Sequence, residues 1–337
     1  MVHTQKIDIL NIILVFISLI TAIYIPFELF IFSYAFFGPL HYLTEITWLH
    51  NKKFFLEANM NWAVILVIIT LLISLYPLIL YSEITINSWV ELLLYYISAQ
   101  YDILLLISLL FAGSLVYFKG KKKLIGIFIM IIIVSIITAL FLPNILLFLG
   151  IFLPTLIHVY LFTLLFVISG CIKNKSKYGI SLAVLILLVP AIIYYLPIEL
   201  INYMPTERIK VTLAENELLF VGKEITKFFY GFQTSNTYLS SEIGIKIEIF
   251  IAFAYTYHYL NWFSKTTVIG WRKAVTKKNG LLILLFWLIS VCLYMYDFKT
   301  GLMALFFLSL LHVLLEFPLN IISIKEIAST IRSKMNN

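Results

Sequence analysis

The chain has 337 residues, 62% of them hydrophobic and only 12% charged, with a mean hydropathy of +1.02. A soluble domain is about a quarter charged, so this composition excludes an ordinary globular enzyme and indicates a polytopic membrane protein. The net charge of +7 does not point to nucleic acid, because the basic residues sit in short segments between apolar runs.

A helix needs about 20 apolar residues to cross the hydrocarbon core. In chain order the expected spans are 7–37, 61–81, 93–118, 122–141, 145–171, 178–197, 243–264, 279–296 and 301–321. That is an all-α bundle of about nine transmembrane helices forming one membrane domain over residues 1–337. The runs are too long, and alternate too little, for strands.

Orientation follows from the loops. With the N-terminus outside, the inside segments hold 17 of the 24 basic residues. They are Lys52 and Lys53; Lys119 and Lys121 to Lys123; Lys173, Lys175 and Lys177; Lys265, Arg272, Lys273, Lys277 and Lys278; and Lys325, Arg332 and Lys334. The expectation is N-out, C-in, in a bacterial inner membrane. The first span is overlong: residues 7–37 reach roughly 46 Å against a core of about 30 Å. Pro26 should kink it and Gly38–Pro39 should end it, so residues 27–50 can bend back into the protein. The opening apolar run is too long for a cleavable signal, so this span is expected to be retained. Cys171 and Cys292 fall near opposite faces and are not expected to pair.

The only long loop is 198–242, on the outer side. Within 216–232, Leu219, Phe220, Ile225, Phe228, Phe229 and Phe232 fall largely on one helical face, predicting an amphipathic helix on the membrane surface or a cap over the outer face.

Ionisable residues inside spans are costly and mark functional positions. His41, His158, His258 and His312 all fall in the middle or inner half of spans that run in the same direction. Residues four apart share a helical face, which pairs His41 with Glu45, and His312 with Glu316 and then Asn320. His258 has Asn261 and Trp262 one turn on and Tyr255 one turn back. A metal-bound imidazole commonly passes its second N–H to a carboxylate or carbonyl. Mixed imidazole and carboxylate ligation suits non-haem iron. The expected ligands are therefore His41, His158, His258 and His312 around Fe(II), with Glu45, Glu316 and Asn261 as catalytic or orienting groups. Each histidine also has a plainer reading as a helix–helix hydrogen-bonding residue, and for His158 the two readings stay open. His50 points away from His41 and precedes Lys52 and Lys53, so it is read as interfacial. Asp102 is expected in the outer part of its span as a vestibule or packing residue, and Glu28 is a further candidate of unassigned depth. The aromatic residues around the histidines suit an interfacial belt or an apolar tunnel.

The stretch GPLHYLTE, residues 38–45, resembles a motif of the bacterial membrane β-carotene 15,15′-dioxygenases, in which a Gly/Pro/Leu turn precedes a histidine with an acidic residue four positions on. Those are multi-span helical proteins with histidines on several helices, expected to hold ferrous iron and to cleave a central polyene bond with dioxygen. The resemblance implies a role for His41 and Glu45. His158, His258 and His312 are analogous only as intramembrane histidines. The chain departs from the family where Tyr42 and Leu43 replace small residues and Ile46 takes the place of a second histidine.

The function expected is an integral membrane non-haem iron oxygenase acting on an apolar small molecule, a carotenoid or a lipid. The competing class is a carrier or channel with a His/Glu proton or ion path, although no inverted repeat is visible. A haem subunit using His158 and His312, and an acyltransferase using His258 with Asn261, are further readings. The lipid bilayer is the expected partner, nucleic acid is not, and the sequence leaves oligomeric state open.

Overall fold

A computed structural model describes all residues except 1, 202, 204, 232–237, 240, 272–274 and 336–337. The expected contributions of Phe232, Arg272 and Lys273 lie outside the described residues. Among those described, the chain is helical and contains no strand.

In order, the helices are α1 (Val2–Tyr24), α2 (Pro26–Phe32), α3 (Gly38–Asn51), α4 (Ala63–Tyr81), α5 (Ser88–Ser98), α6 (Tyr101–Tyr117), α7 (Lys121–Phe141), α8 (Pro143–Phe152), α9 (Thr163–Asn174), α10 (Lys177–Tyr195), α11 (Glu207–Glu215), α12 (Phe220–Tyr230), α13 (Glu242–Ser264), α14 (Lys277–Tyr296) and α15 (Phe298–Met335). Two π-helical segments interrupt them, Ser33–Phe37 before α3 and Leu153–Phe162 before α9. Among the described residues, seven helices are long and apolar enough to cross a membrane. An eighth is counted if α5 and α6, bent by 62°, form one span. Long apolar helices of this kind are those of an integral membrane protein.

The chain forms two compact units: residues 1–41 with 155–273, and 42–154 with 274–337. The sequence reading has a single domain; no linker marks either boundary.

In the first unit α13 is the central helix, with α1, α2, the first π segment, α10 and α12 packed against it. Residues 251–259 of α13 are buried without interruption. This helix is absent from the seven apolar spans because a helix walled by protein on every side can carry Tyr, Thr, His and Asn where a lipid-facing one cannot.

The first span differs from expectation. The chain leaves helical geometry at Ile25 (φ −141°, ψ 60°), and Pro26 starts a new helix, a position where its missing N–H costs nothing. α1 runs antiparallel to α13: Asn11 Nδ2 donates to Ser264 Oγ at 2.9 Å, and Asp8 accepts from Ser176 Oγ at 2.5 Å. The segment after Ile25 runs parallel to α13, with Phe30 on Tyr255, Ser33 on Thr256 and His41 on His258. Residues 7–37 are therefore not one span but the two arms of a helical hairpin that reverses at Ile25. α1 begins at the end of the unit where α9 and α13 finish, so the run 7–37 makes two passes through the unit where the sequence counts one. Nor does Gly38–Pro39 end a helix: α3 continues to Asn51.

The outer segment also differs. One helix over 216–232 is replaced by a turn and the shorter α12. Leu219 is buried, whereas Phe220, Phe228 and Phe229 are exposed. The buried face of α12 is small, Gly222 and Thr226. A Cβ at Gly222 would collide with the Tyr238 hydroxyl, which itself donates to Glu248 Oε1 at 2.7 Å. α12 is a cap seated on α13, with its aromatic end facing outward.

The second unit is organised around α15, 38 residues long, with α4, α6 and α14 against it. Asn59 ties the start of this unit to the end of α6, donating to Leu115 O at 2.9 Å and Phe118 O at 2.7 Å. Asp102 sits against Gly150, where a Cβ would strike its carboxylate, so it is a packing residue between α6 and α8.

Candidate metal centre

The site in the first unit starts from a proline effect. Pro39 has no N–H, so the carbonyl of Ala35 cannot be bonded in α register. The turn before it widens, and Gly38 N–H donates to Ser33 O, five residues back. Such π turns are frequent at functional sites. The wider turn brings His41 to bear on α13. Gly38 makes the approach feasible: a Cβ there would lie 3.3 Å from Tyr259 Oη. Ser33 Oγ and Thr256 Oγ1, 2.7 Å apart and buried, fix the register. One such bond contributes about 0.6 kcal/mol in a membrane, enough to select a register though not to hold helices together alone.

The second π segment repeats the device. Pro154 cannot donate to Gly150 O, and Tyr101 Oη donates to that carbonyl at 3.3 Å. Thr155 is bent out of helical geometry (φ −110°, ψ −107°), and His158 follows within the segment.

The three histidines meet on α13. His41 Nε2 and His258 Nε2 are 3.0 Å apart, with ring centroids at 4.6 Å in an edge-to-face arrangement. The His158 ring is 5.0 Å from that of His258. Exposure is 1% for His41, 1% for His158 and 6% for His258. On its other side the His258 Nδ1 is 2.7 Å from Thr163 Oγ1. With the proton on Nδ1, that nitrogen donates to the threonine and Nε2 turns a lone pair toward His41. Trp262 and Tyr259 close the far side of His41, at ring-centroid distances of 5.5 and 5.2 Å.

The donor set fits a transition metal. Imidazole nitrogens bind such ions at about 2.1 Å, and two bonds of that length at right angles place the nitrogens about 3.0 Å apart. A direct imidazole–imidazole hydrogen bond has the same length, so the spacing alone admits either.

Asn261 is buried one turn after His258 on α13. In the second unit His312, Glu316 and Asn320 lie buried along α15. Tyr42 packs its ring 5.8 Å from that of His312, and Glu45 is close enough to Glu316 for the carboxyls to interact electrostatically. His41 and Glu45 are one turn apart on α3, as their spacing predicts. His50 is exposed at the end of α3, against Phe54. Glu28 is not among the histidines: its Oε2 accepts from Tyr203 Oη at 2.6 Å. Thr163 and the two π segments were not anticipated; the only signal was a proline shortly before each of His41 and His158.

No family model, curated protein or solved structure matches this chain.

Proposed function

We propose that the protein is an integral membrane metalloprotein in which His41, His158 and His258 hold a ferrous ion, and that it acts as a non-haem iron oxygenase on an apolar substrate. The 3.0 Å spacing of the two Nε2 atoms, with the opposite nitrogen of His258 held by Thr163, is the observation that carries this reading. The iron would supply activation of dioxygen. Thr163 fixes the ring and tautomer of His258, Trp262 and Tyr259 wall His41, and the buried helices exclude water, which protects reactive species.

We further propose an inner (plasma) membrane location. Adding 26–51 and α13 to the eight apolar spans makes ten passes, an even number. With the basic loops inside, both termini are cytoplasmic and the segment between α10 and α13 is external.

The test is metal content and the visible spectrum of protein purified without chelator. About one iron per chain and no Soret band is expected, and His41→Ala, His158→Ala and His258→Ala each lose it. Folded protein free of metal would overturn the reading. One observation favours a second reading: the buried Glu45, Glu316 and His312 of the second unit suit a proton path in a carrier. Metal-free protein that acidifies proteoliposomes, and stops doing so as Glu316→Gln, would establish it.

A further inference from the structure

The first unit contains a cavity of about 530 Å³ between α10, α12 and α13, at the end opposite the basic loops. Its volume lies within the range of small-molecule sites. Ile193, Ile225, Phe229, Ile247 and Phe250 form half of its described wall. Among the described residues the one charge lining it, Lys246, is already engaged by Glu242 Oε1 at 2.7 Å and Tyr194 O at 2.8 Å. The walls therefore offer hydrocarbon contact rather than ionic recognition.

The surroundings show which way it opens and where it stops. Phe229 and Tyr230 line it and are 68% and 55% exposed, beside Phe228 at 78%. Exposed aromatic residues at a helix end suit the boundary between headgroups and acyl chains. At the inner end Phe250 packs on Tyr160, ring centroids 5.0 Å apart, and Tyr160 is anchored by donating to Ile186 O at 2.8 Å. Tyr160 stands two residues after His158 in the same π segment. Along α13, Ile247 and His258 are eleven residues apart, three turns on one face, or about 16 Å. The buried Ile251 and Ala254 lie between them.

We infer that this cavity binds one long hydrocarbon chain, acyl or isoprenoid, inserted sideways from the outer leaflet, with the Phe250–Tyr160 pair as its floor. The site stands on geometry separate from the metal centre. If the protein is an oxygenase, the cavity names its substrate class as a long-chain lipid whose tail ends against the segment that carries His158.

The experiment titrates cis-parinaric acid, a fluorescent polyene fatty acid, into the purified full-length protein in detergent. Saturable one-site binding is expected, displaced by oleic acid if the site takes acyl chains or by geranylgeraniol if it takes isoprenoids. Ile247→Trp and Ile225→Trp fill the cavity from opposite walls and should each weaken binding at least tenfold, with metal content and elution volume unchanged. Non-saturable uptake by the wild type, displacement by neither competitor, or wild-type affinity in both filled variants would overturn the inference. Saturable binding by protein that holds no metal would leave it standing and remove the metal reading instead.

Discussion

Thr163 lies 2.7 Å from one nitrogen of His258 and so decides which nitrogen is left to face His41. Outer partners of this kind are worth 10- to 100-fold in metal affinity. Thr163→Val, which keeps the shape and removes the hydroxyl, should weaken metal binding by about that factor in chelator competition, while Thr163→Ser retains it. Lys265 provides a second residue-scale prediction. It follows α13 directly, and burial pushes its ammonium down from the usual 10.5 to about 8, against the opposing pull of Asp8. Between about pH 8 and 10.5 the unfolded chain then holds the proton more tightly than the folded one, so stability rises with pH through that window. Thermal unfolding at pH 7.5 and pH 10 in one detergent should show the rise, and Lys265→Met should abolish it. The histidines were legible in the sequence because imidazoles inside apolar runs are conspicuous. Thr163 was not, since a threonine in a membrane helix ordinarily bonds back to its own carbonyls.

At the scale of elements, apolar length located the helices, the buried α13 among them, and misjudged the first run. The run 7–37 reads as one span because nothing at Ile25 breaks its hydropathy; only its excess length and Pro26 betray the reversal. On 216–232 the pattern located the aromatic face but not the opposite one, where Gly222 and Thr226 pack on α13, because hydrophobic patterning does not register smallness. That contact is testable. Gly222→Val should drive a side chain into the Tyr238–Glu248 pair and cost about 1–3 kcal/mol, read as a lowered unfolding temperature. Gly126, which has open space around it, is the control: Gly126→Val should cost far less.

For the whole molecule, the basic loops and the long apolar helices were enough to recognise a membrane protein. Taking 7–37 as one pass leads to N-out, and the reversal at Ile25, which loop charges do not register, is where the first unit departs from that count. The hairpin makes a definite topological prediction. With Cys171 and Cys292 replaced by Ala, a cysteine at Lys6 should resist a membrane-impermeant maleimide in intact cells and react once the membrane is opened. One at Tyr24, exposed beside the reversal, should react from outside. The opposite pattern would restore the N-out arrangement.

The π turn at Ser33–Phe37 carries one residue more than an α turn would hold, and that surplus acts as a phase shift. Returning the segment to α geometry with every residue kept, as Pro39→Ala would permit, would rotate everything after it by about 100°. His41 would then swing off the face it shares with His258, although every ligand would still be present in the sequence. His41 is thus placed by the width of one helical turn as well as by its identity, and on the proposed metal reading Pro39→Ala should lose bound iron as His41→Ala does.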